Sequence, residues 1–326
     1  MAGIRRIQGA HGVPPELKGG VTAIGNFDGV HRGHQAVLGD ALTQARVRGA
    51  PALVLTFEPH PRRHFRPDEP HFALTPAPLK ARLLDALGFD AVVEQNFGPD
   101  LAQMEAARFV RSLLVDQLVL SCAVTGFDFH FGQGRAGTPS FLAEASRALG
   151  FDVRQVPAFR DEGGEIVSSS RIRALLGEGE VVEAAGLLGY RWLVEGTVEG
   201  GRRLGRTLGY PTANMRLPEG TMLKHGIYAV RFRRADGSLY DGVASFGRRP
   251  TVEEEGAPLL ETYLFDFSGD LYGEKASVSF FGFLRSEAKF ENLDALMAQM
   301  RRDEADARAL LAGVQPLGTL DAALSF

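Results

Sequence analysis

The chain has 326 residues, 44% hydrophobic and 23% charged, with a formal net charge of -4, a balance that fits a globular protein of two domains, each long enough to bury its own core. The small negative charge argues against a surface built to coat nucleic acid, and a single cysteine, Cys122, rules out a disulfide framework or a cysteine zinc site. No apolar run approaches the ~20 residues that span a bilayer, and Met1-Ala2-Gly3-Ile4-Arg5-Arg6 lacks the apolar stretch of a secretory signal, so a reducing cytoplasm is the expected location.

The first half alternates strand and helix patterns. Residues 21–25 predict a short buried strand, and a polar, glycine-rich turn follows. A helix over 34–48 carries Val37, Leu38, Ala41 and Leu42 at helical spacing. Strands are predicted over 52–57, 91–93, 119–124 and 152–156, with helices over 79–87, 104–114 and 138–149. Such alternation implies a mainly parallel sheet covered on both faces, a doubly wound α/β fold. The rhythm stops near Gly177-Glu178-Gly179-Glu180. A short helix over 181–188 is followed by strand-like pieces over 192–198, 226–232, 239–244, 260–267 and 276–283, separated by glycine-rich turns. That pattern predicts a small antiparallel β-barrel. A terminal helix over 291–311 presents Leu293, Leu296, Met297 and Met300 on one face. The domains are therefore placed at 1–185 and 186–326.

The first strand runs into Gly25-Asn26-Phe27-Asp28-Gly29-Val30-His31-Arg32-Gly33-His34. Nothing matches G-x-x-x-x-G-K-[ST], so a Walker-type loop is absent. Two histidines three apart stand where a helix begins, and helix N-termini favour anions. Imidazole N–H donors add to that field and follow charge as it builds on a phosphate. Gly25, Gly29 and Gly33 allow close backbone approach. The plainer readings are a glycine-rich turn with two surface histidines, or a metal pair, for which no third ligand is evident nearby.

This strand, turn and H-x-G-H resemble the signature of the nucleotidylyltransferase superfamily, and the run from Ile24 to His34 resembles the prokaryotic bifunctional riboflavin kinase/FAD synthetase (FMN adenylyltransferase) family. Thr56-Phe57-Glu58-Pro59-His60-Pro61 matches in order. So do Gly126-Phe127-Asp128-Phe129-His130-Phe131-Gly132, with Arg135 and Gly137, and Ser168-Ser169-Ser170-Arg171-Ile172-Arg173. In the second half, Gly205-Arg206-Thr207-Leu208-Gly209-Tyr210-Pro211-Thr212-Ala213-Asn214 resembles the riboflavin kinase signature. Gly226 to Val230, Gly242 to Thr251, and Glu261 to Gly273 then match later segments of that family. Ser245 stands where the family usually has Asn, so no role is assigned to that side chain.

The resemblance implies a nucleotidylyltransferase (Rossmann-like) domain followed by a kinase barrel, with ATP as co-substrate and Mg2+ as cofactor. It implies that the barrel phosphorylates riboflavin to FMN, and that the first domain joins FMN to AMP from ATP, giving FAD and pyrophosphate. By the same resemblance His31, His34 and Glu261 are the catalytic candidates, Glu261 as the base of the kinase. Gly25, Asn26, Phe27, Asp28, Gly29, Ser168, Ser169, Ser170, Arg171, Gly205, Arg206 and Gly209 would bind nucleotide phosphates. Phe57, Pro59, His60, Asp128, Phe129 and Arg285 would meet the flavin, and Thr212 and Asn214 offer hard oxygens to Mg2+. The partners implied are riboflavin, FMN, FAD, ATP and pyrophosphate, with neither nucleic acid nor membrane. An oligomer is compatible with the sequence but not specified by it.

Two decoys and three alternatives accompany this reading. Gly132-Gln133-Gly134-Arg135-Ala136-Gly137 has the letters of a dinucleotide fingerprint, with Asp152 twenty residues past Gly132. It comes late in the chain after an over-long turn, so a loop shaping the flavin or ATP pocket explains it better. His60, His64 and His71, among prolines and arginines, read as solvated loop histidines rather than a metal site. The alternatives are a riboflavin kinase with an inactive N-terminal domain, a non-catalytic flavin- or nucleotide-binding protein, and an adenylyltransferase for another phosphorylated metabolite.

Overall fold

The computed structural model describes residues 3–69, 71–200, 212–218, 220–247 and 258–326. The chain divides into two compact units, Met1–Ser169 and Ser170–Phe326.

The strands of the first unit are β1 (Arg5–Gln8), β2 (Val21–Ile24), β3 (Ala52–Glu58), β4 (Ala91–Asn96), β5 (Cys122–Gly126) and β6 (Asp152–Val156). They form one sheet in the order β1-β4-β3-β2-β5-β6, with every pairing parallel. β2 is wholly buried and β3 is buried up to its last residue, as parallel strands covered on both faces must be. The helices are α1 (Arg32–Arg48), α2 (Pro61–Phe65), α3 (Ala77–Leu87), α4 (Pro99–Ala102), α5 (Ala106–Arg108) and α6 (Pro139–Leu149), and α5 runs on as a π-helical stretch over Phe109–Gln117. Leu53, Leu55 and Phe57 of β3 join Val110, Leu114 and Leu142 in a core on one face of the sheet. On the other face, α1 packs against β2, β3, β5 and β6, and α3 against β4.

The chain passes from β2 outward through β3 to β4, then returns to place β5 on the far side of β2. That reversal opens a crevice at the carboxyl ends of β2 and β5, where ligands bind in open α/β sheets. The predicted alternation is present, with differences: the short helices α2 and α4 were not predicted, and the helix expected from 104 starts at Ala106. Val119 has φ 50°, a left-handed conformation that a β-branched residue rarely adopts, and the strand expected from 119 starts at Cys122 instead. β1 was not predicted, because Arg-Arg-Ile-Gln at a sheet edge carries one apolar residue and no alternation.

The second unit takes most of α7 (Ser169–Glu178), then α8 (Val181–Leu188). Its strands are β7 (Leu193–Thr197), β8 (Thr212–Arg216), β9 (Gly226–Arg233), β10 (Leu239–Gly247), β11 (Leu259–Leu264) and β12 (Lys275–Arg285). They pair antiparallel in the order β7-β12-β9-β10-β11-β8. The two edges approach at a bridge in which Glu199 N donates to Asn214 O at 2.8 Å, leaving a nearly closed barrel. The register places Tyr228, Ala244, Phe246, Leu260 and Met215 on the inner face, all fully or almost fully buried. On the outer face, α9 (Leu293–Ala312) packs Ala307 and Leu311 against Ala229, Phe265 and Phe281. A Cβ at Gly282 would lie 2.6 Å from Leu310, so glycine there lets α9 come close. α10 (Thr319–Ser325) ends the chain.

Candidate functional site

The turn after β2 is built by backbone conformations that few residues accept. Phe27, Gly29 and Val30 have φ 48°, 88° and 39°, and the strain of the two non-glycine residues persists only where neighbours hold it. They do so here. Thr56 Oγ1 donates to Asn26 O at 3.1 Å, Gly29 N donates to Thr75 Oγ1 at 2.8 Å, and Thr75 N donates to Asp28 Oδ1 at 3.1 Å. Ser169 Oγ donates to Asp28 O at 2.8 Å. The two superfamily motifs, far apart in sequence, are thus joined by one hydrogen bond, and the Asp28 carboxylate is turned onto Thr75.

α1 starts with His31 as its N-cap, the Nδ1 accepting from His34 N at 3.2 Å. In the neutral ring that acceptor role puts the proton on Nε2, the nitrogen on the far side of the imidazole from the helix. The His31 and His34 rings stack 3.6 Å apart at 16°, and Phe27 meets His34 edge-on at 5.4 Å. A Cβ at Gly33 would sit 3.2 Å from the His31 ring, so glycine there makes room for the imidazole. Burial pushes the His34 imidazole well below the usual histidine range, and the charges of His31 and Lys80 act in the same direction. Two buried polar atoms in this cradle, Asn26 Oδ1 and His34 Nδ1, have no hydrogen-bond partner. Such groups are costly unless a ligand meets them.

Of the residues assigned to the flavin, Phe57, Pro59, His60, Asp128 and Phe129 follow the carboxyl ends of β3 and β5, whereas Arg285 lies on β12 of the barrel. Phe57 is the penultimate residue of β3, which is followed by Pro59 and by His60; His60 caps α2 by accepting from Arg62 N at 3.1 Å and stacks on His71 at 4.3 Å. After β5, the Asp128 carbonyl oxygen lies 2.8 Å from His130 Nδ1, and Phe129 stacks on Phe131 at 5.3 Å. Phe57, Phe97, Phe109, Phe131 and Phe141 line the neighbouring core. The glycine pattern from Gly132 to Gly137 closes into a small loop, bridged by Phe131 and Gly137. A Cβ at Gly132 would fall 2.7 Å from the Ala106 backbone. Ser170 and Arg171 occupy the first turn of α7.

In the barrel, Asn214 of β8 lies directly opposite Glu261 of β11, and Glu261 opposite Ser245 of β10. Thr212 lies opposite Tyr263 one step along. Residues at alternate positions share a face, so Thr212, Asn214, Glu261 and Ser245 all project outward. Asn214 is 4% exposed and its Oδ1 has no hydrogen-bond partner. Arg285 pairs with Ile227 farther along the same row. Its guanidinium is turned onto α9, donating to Asp303 at 2.8 and 2.7 Å. Gly205, Arg206 and Gly209 lie outside the described residues.

Residues 13–171 match the family model described as FAD synthetase, and residues 188–311 match that for riboflavin kinase. The chain is 40% identical over 306 residues to the bifunctional riboflavin kinase/FMN adenylyltransferase of Pseudomonas fluorescens, covering 94% of this chain and 97% of that relative. To the protein of the same description from Escherichia coli (strain K12) it is 38% identical over 314 residues, 96% of this chain and 100% of that one.

The chain belongs to the bifunctional riboflavin kinase/FMN adenylyltransferase family.

A crystal structure from Streptococcus pneumoniae, titled as a macrolide-efflux protein, is similar at 30% identity with a TM-score of 0.82, covering 94% of this chain and 99% of that one. Among the described residues no helix is long and apolar enough to cross a membrane. Within the family's adenylyltransferase half, the sequence motifs did not single out Thr75 or Lys80. Thr75 stands alone before a proline, and Lys80 sits in a helix where a charged residue ordinarily faces water. Lys80 is instead buried, its Nζ donating to Glu58 Oε1 at 2.8 Å and Thr56 Oγ1 at 3.2 Å.

Proposed function

We propose that this protein makes FAD from riboflavin in two ATP-dependent steps at separate sites, with residues 186–326 as the kinase domain, residues 1–185 as the adenylyltransferase domain, and the cytoplasm as its location. The observation that carries the residue assignments is that unpartnered buried polar atoms fall within both candidate cradles: Asn26 Oδ1 and His34 Nδ1 in one, Asn214 Oδ1 in the other.

In the kinase step, Glu261 takes the proton of the riboflavin 5′-hydroxyl as that oxygen attacks the γ-phosphorus of ATP, the bond to the bridging oxygen breaks and ADP leaves with FMN formed. The row Asn214–Glu261–Ser245 sets this carboxylate beside a buried amide oxygen that lacks a donor. That oxygen, with the Thr212 hydroxyl, fits Mg2+, which takes hard oxygen ligands. When bound, Mg2+ supplies charge neutralisation on the phosphates. Gly205, Arg206 and Gly209 are proposed to bind those phosphates.

In the adenylyl step, a phosphate oxygen of FMN attacks the α-phosphorus of ATP and pyrophosphate leaves. No protein nucleophile is needed; alignment and charge stabilisation suffice. His31 offers Nε2–H to the developing charge, and α1 directs its N-terminus to the same place. Gly25, Asn26, Phe27, Asp28 and Gly29 shape the turn, with Asp28 holding it through Thr75. Ser168, Ser169, Ser170 and Arg171 are the donors for pyrophosphate, and Phe57, Pro59, His60, Asp128 and Phe129 border the flavin. Arg285, engaged with Asp303, is proposed to reach the flavin of the kinase site only through its exposed edge.

The test is incubation of the purified protein with riboflavin, ATP and Mg2+, the products being separated by chromatography. FMN appears first and FAD follows, and chelation of Mg2+ stops the phosphorylation. FMN without FAD would leave the N-terminal domain inert, the principal alternative.

A further inference from the structure

Lys80 belongs to none of the sequence motifs. It lies on α3 between Leu79 and Ala81, and its side chain is 4% exposed. A buried ammonium is costly unless its protons are met by good acceptors. Two acceptors come from β3, Glu58 Oε1 and Thr56 Oγ1. Thr56 has one hydroxyl proton, and that proton goes to Asn26 O. The Thr56 oxygen is therefore left to accept, and Lys80 is its donor. A single line of hydrogen bonds runs from Glu58 through the ammonium and Thr56 to the first residue of the turn that leads into His31.

We propose that Lys80 is a positioning residue for the adenylyl transfer, fixing through Thr56 the turn that presents His31 and His34 to the triphosphate. The proposal rests on the FMN adenylyltransferase reading of this site. Without the ammonium, the Thr56 oxygen loses its donor, Glu58 loses its buried counter-charge, and the strained residues Phe27 and Val30 lose a support on the β3 side. The positive charge has a second effect. Together with burial and His31, it disfavours a proton on His34. Among the described residues, Lys80 from α3 is paired with Glu58 from β3, and the Asp28 carboxylate of the turn accepts from Thr75 N. Beyond Glu58, Arg6 of β1 is paired with Glu94 of β4. Of these, Lys80 is the cation coupled to His34 from outside α1.

The experiment compares the full-length protein with Lys80→Met, Lys80→Arg and Thr56→Val, measuring FAD formation from FMN and ATP across pH. Circular dichroism and thermal melting of the same samples serve as the control for folding, since riboflavin phosphorylation reports on the other unit. Lys80→Met is expected to lower kcat by about 10- to 100-fold, the scale on which misplacement of reacting groups acts. Its acid limb should move to higher pH, because removing a neighbouring positive charge eases protonation of His34. Lys80→Arg should recover most of the rate and the wild-type acid limb. Thr56→Val should lower kcat and leave the acid limb in place. A Lys80→Met protein with wild-type kcat and an unmoved acid limb overturns the proposal. If Lys80→Met does not fold, Thr56→Val decides, and an unchanged kcat in that variant overturns it. A wild type that forms FMN but no FAD removes the underlying reading of the site and the proposal with it.

Discussion

At the scale of single residues, the adenylyltransferase cradle depends on what each imidazole is prevented from doing. The Nδ1 of His31 is occupied by the backbone of His34, which leaves Nε2 to donate. His34 is enclosed by His31, Phe27 and the Lys80 charge, and burial depresses its affinity for protons. The unfolded chain takes up a proton on this residue near pH 6.5, while the folded chain holds off until a lower pH. Folding stability therefore falls as pH drops below about 6.5, because the unfolded state then binds more protons. Denaturant midpoints of the N-terminal unit, followed between about pH 7.5 and 5.5, should decline more steeply for wild type than for His34→Gln. Equal slopes would contradict this assignment. That two histidines stand together at the start of a helix was legible from the H-x-G-H spacing. The residues that hold them were not: Lys80 and Thr75 act through contacts with β3 and the turn, and contacts between distant segments leave no periodic trace in a sequence.

At the scale of elements, helices and strands with strong apolar periodicity were predictable, and the short or polar ones were not. α1, β3, α3 and the barrel strands other than β8 fall where their apolar spacing puts them. β8 is not among the strands predicted from the sequence, yet Ala213 and Met215 are buried inside the barrel while Thr212 and Asn214 point out. The strand is what aligns its polar residues with Glu261. α10 was missed as well, being short and lying past residue 311, where the riboflavin kinase match ends. Its anchor is Asp321, fully buried, which accepts from Arg191 N at 2.8 Å, from Leu317 N at 2.9 Å and from the Arg191 guanidinium. Arg191 also stacks over Phe281 and Phe326, at 5.1 and 5.5 Å from their ring centres. Removing one partner of a buried pair strands the other charge, so Asp321→Ala should destabilise the barrel unit by about 3 kcal/mol. A denaturant titration of the kinase activity measures this, and a shift under about 0.5 kcal/mol, the scale of a surface substitution, would show that α10 is not held through Asp321.

At the scale of the whole molecule, two folds of different class carry one proposed site each. The parallel sheet places its cradle where the strand order reverses beside β2, and the barrel places its row on the outer face of β8, β11 and β10. In the proposed mechanism both sites set fixed donors or a divalent ion at a phosphorus under attack, and neither needs a covalent intermediate with the protein. The change from alternating helices and strands to strands alone was visible in the sequence, since it follows from apolar periodicity. The strand order in each sheet was not, because pairing partners are chosen by packing across long separations. The most direct measurement takes His31→Ala and Glu261→Gln and assays each half-reaction separately, with riboflavin or FMN supplied. His31→Ala should lose about 10²–10³-fold in FAD formation, the scale for one charge-stabilising donor, and keep riboflavin phosphorylation; Glu261→Gln should lose phosphorylation and keep FAD formation from added FMN. A folded variant of either kind that lost both activities together would contradict two independent sites.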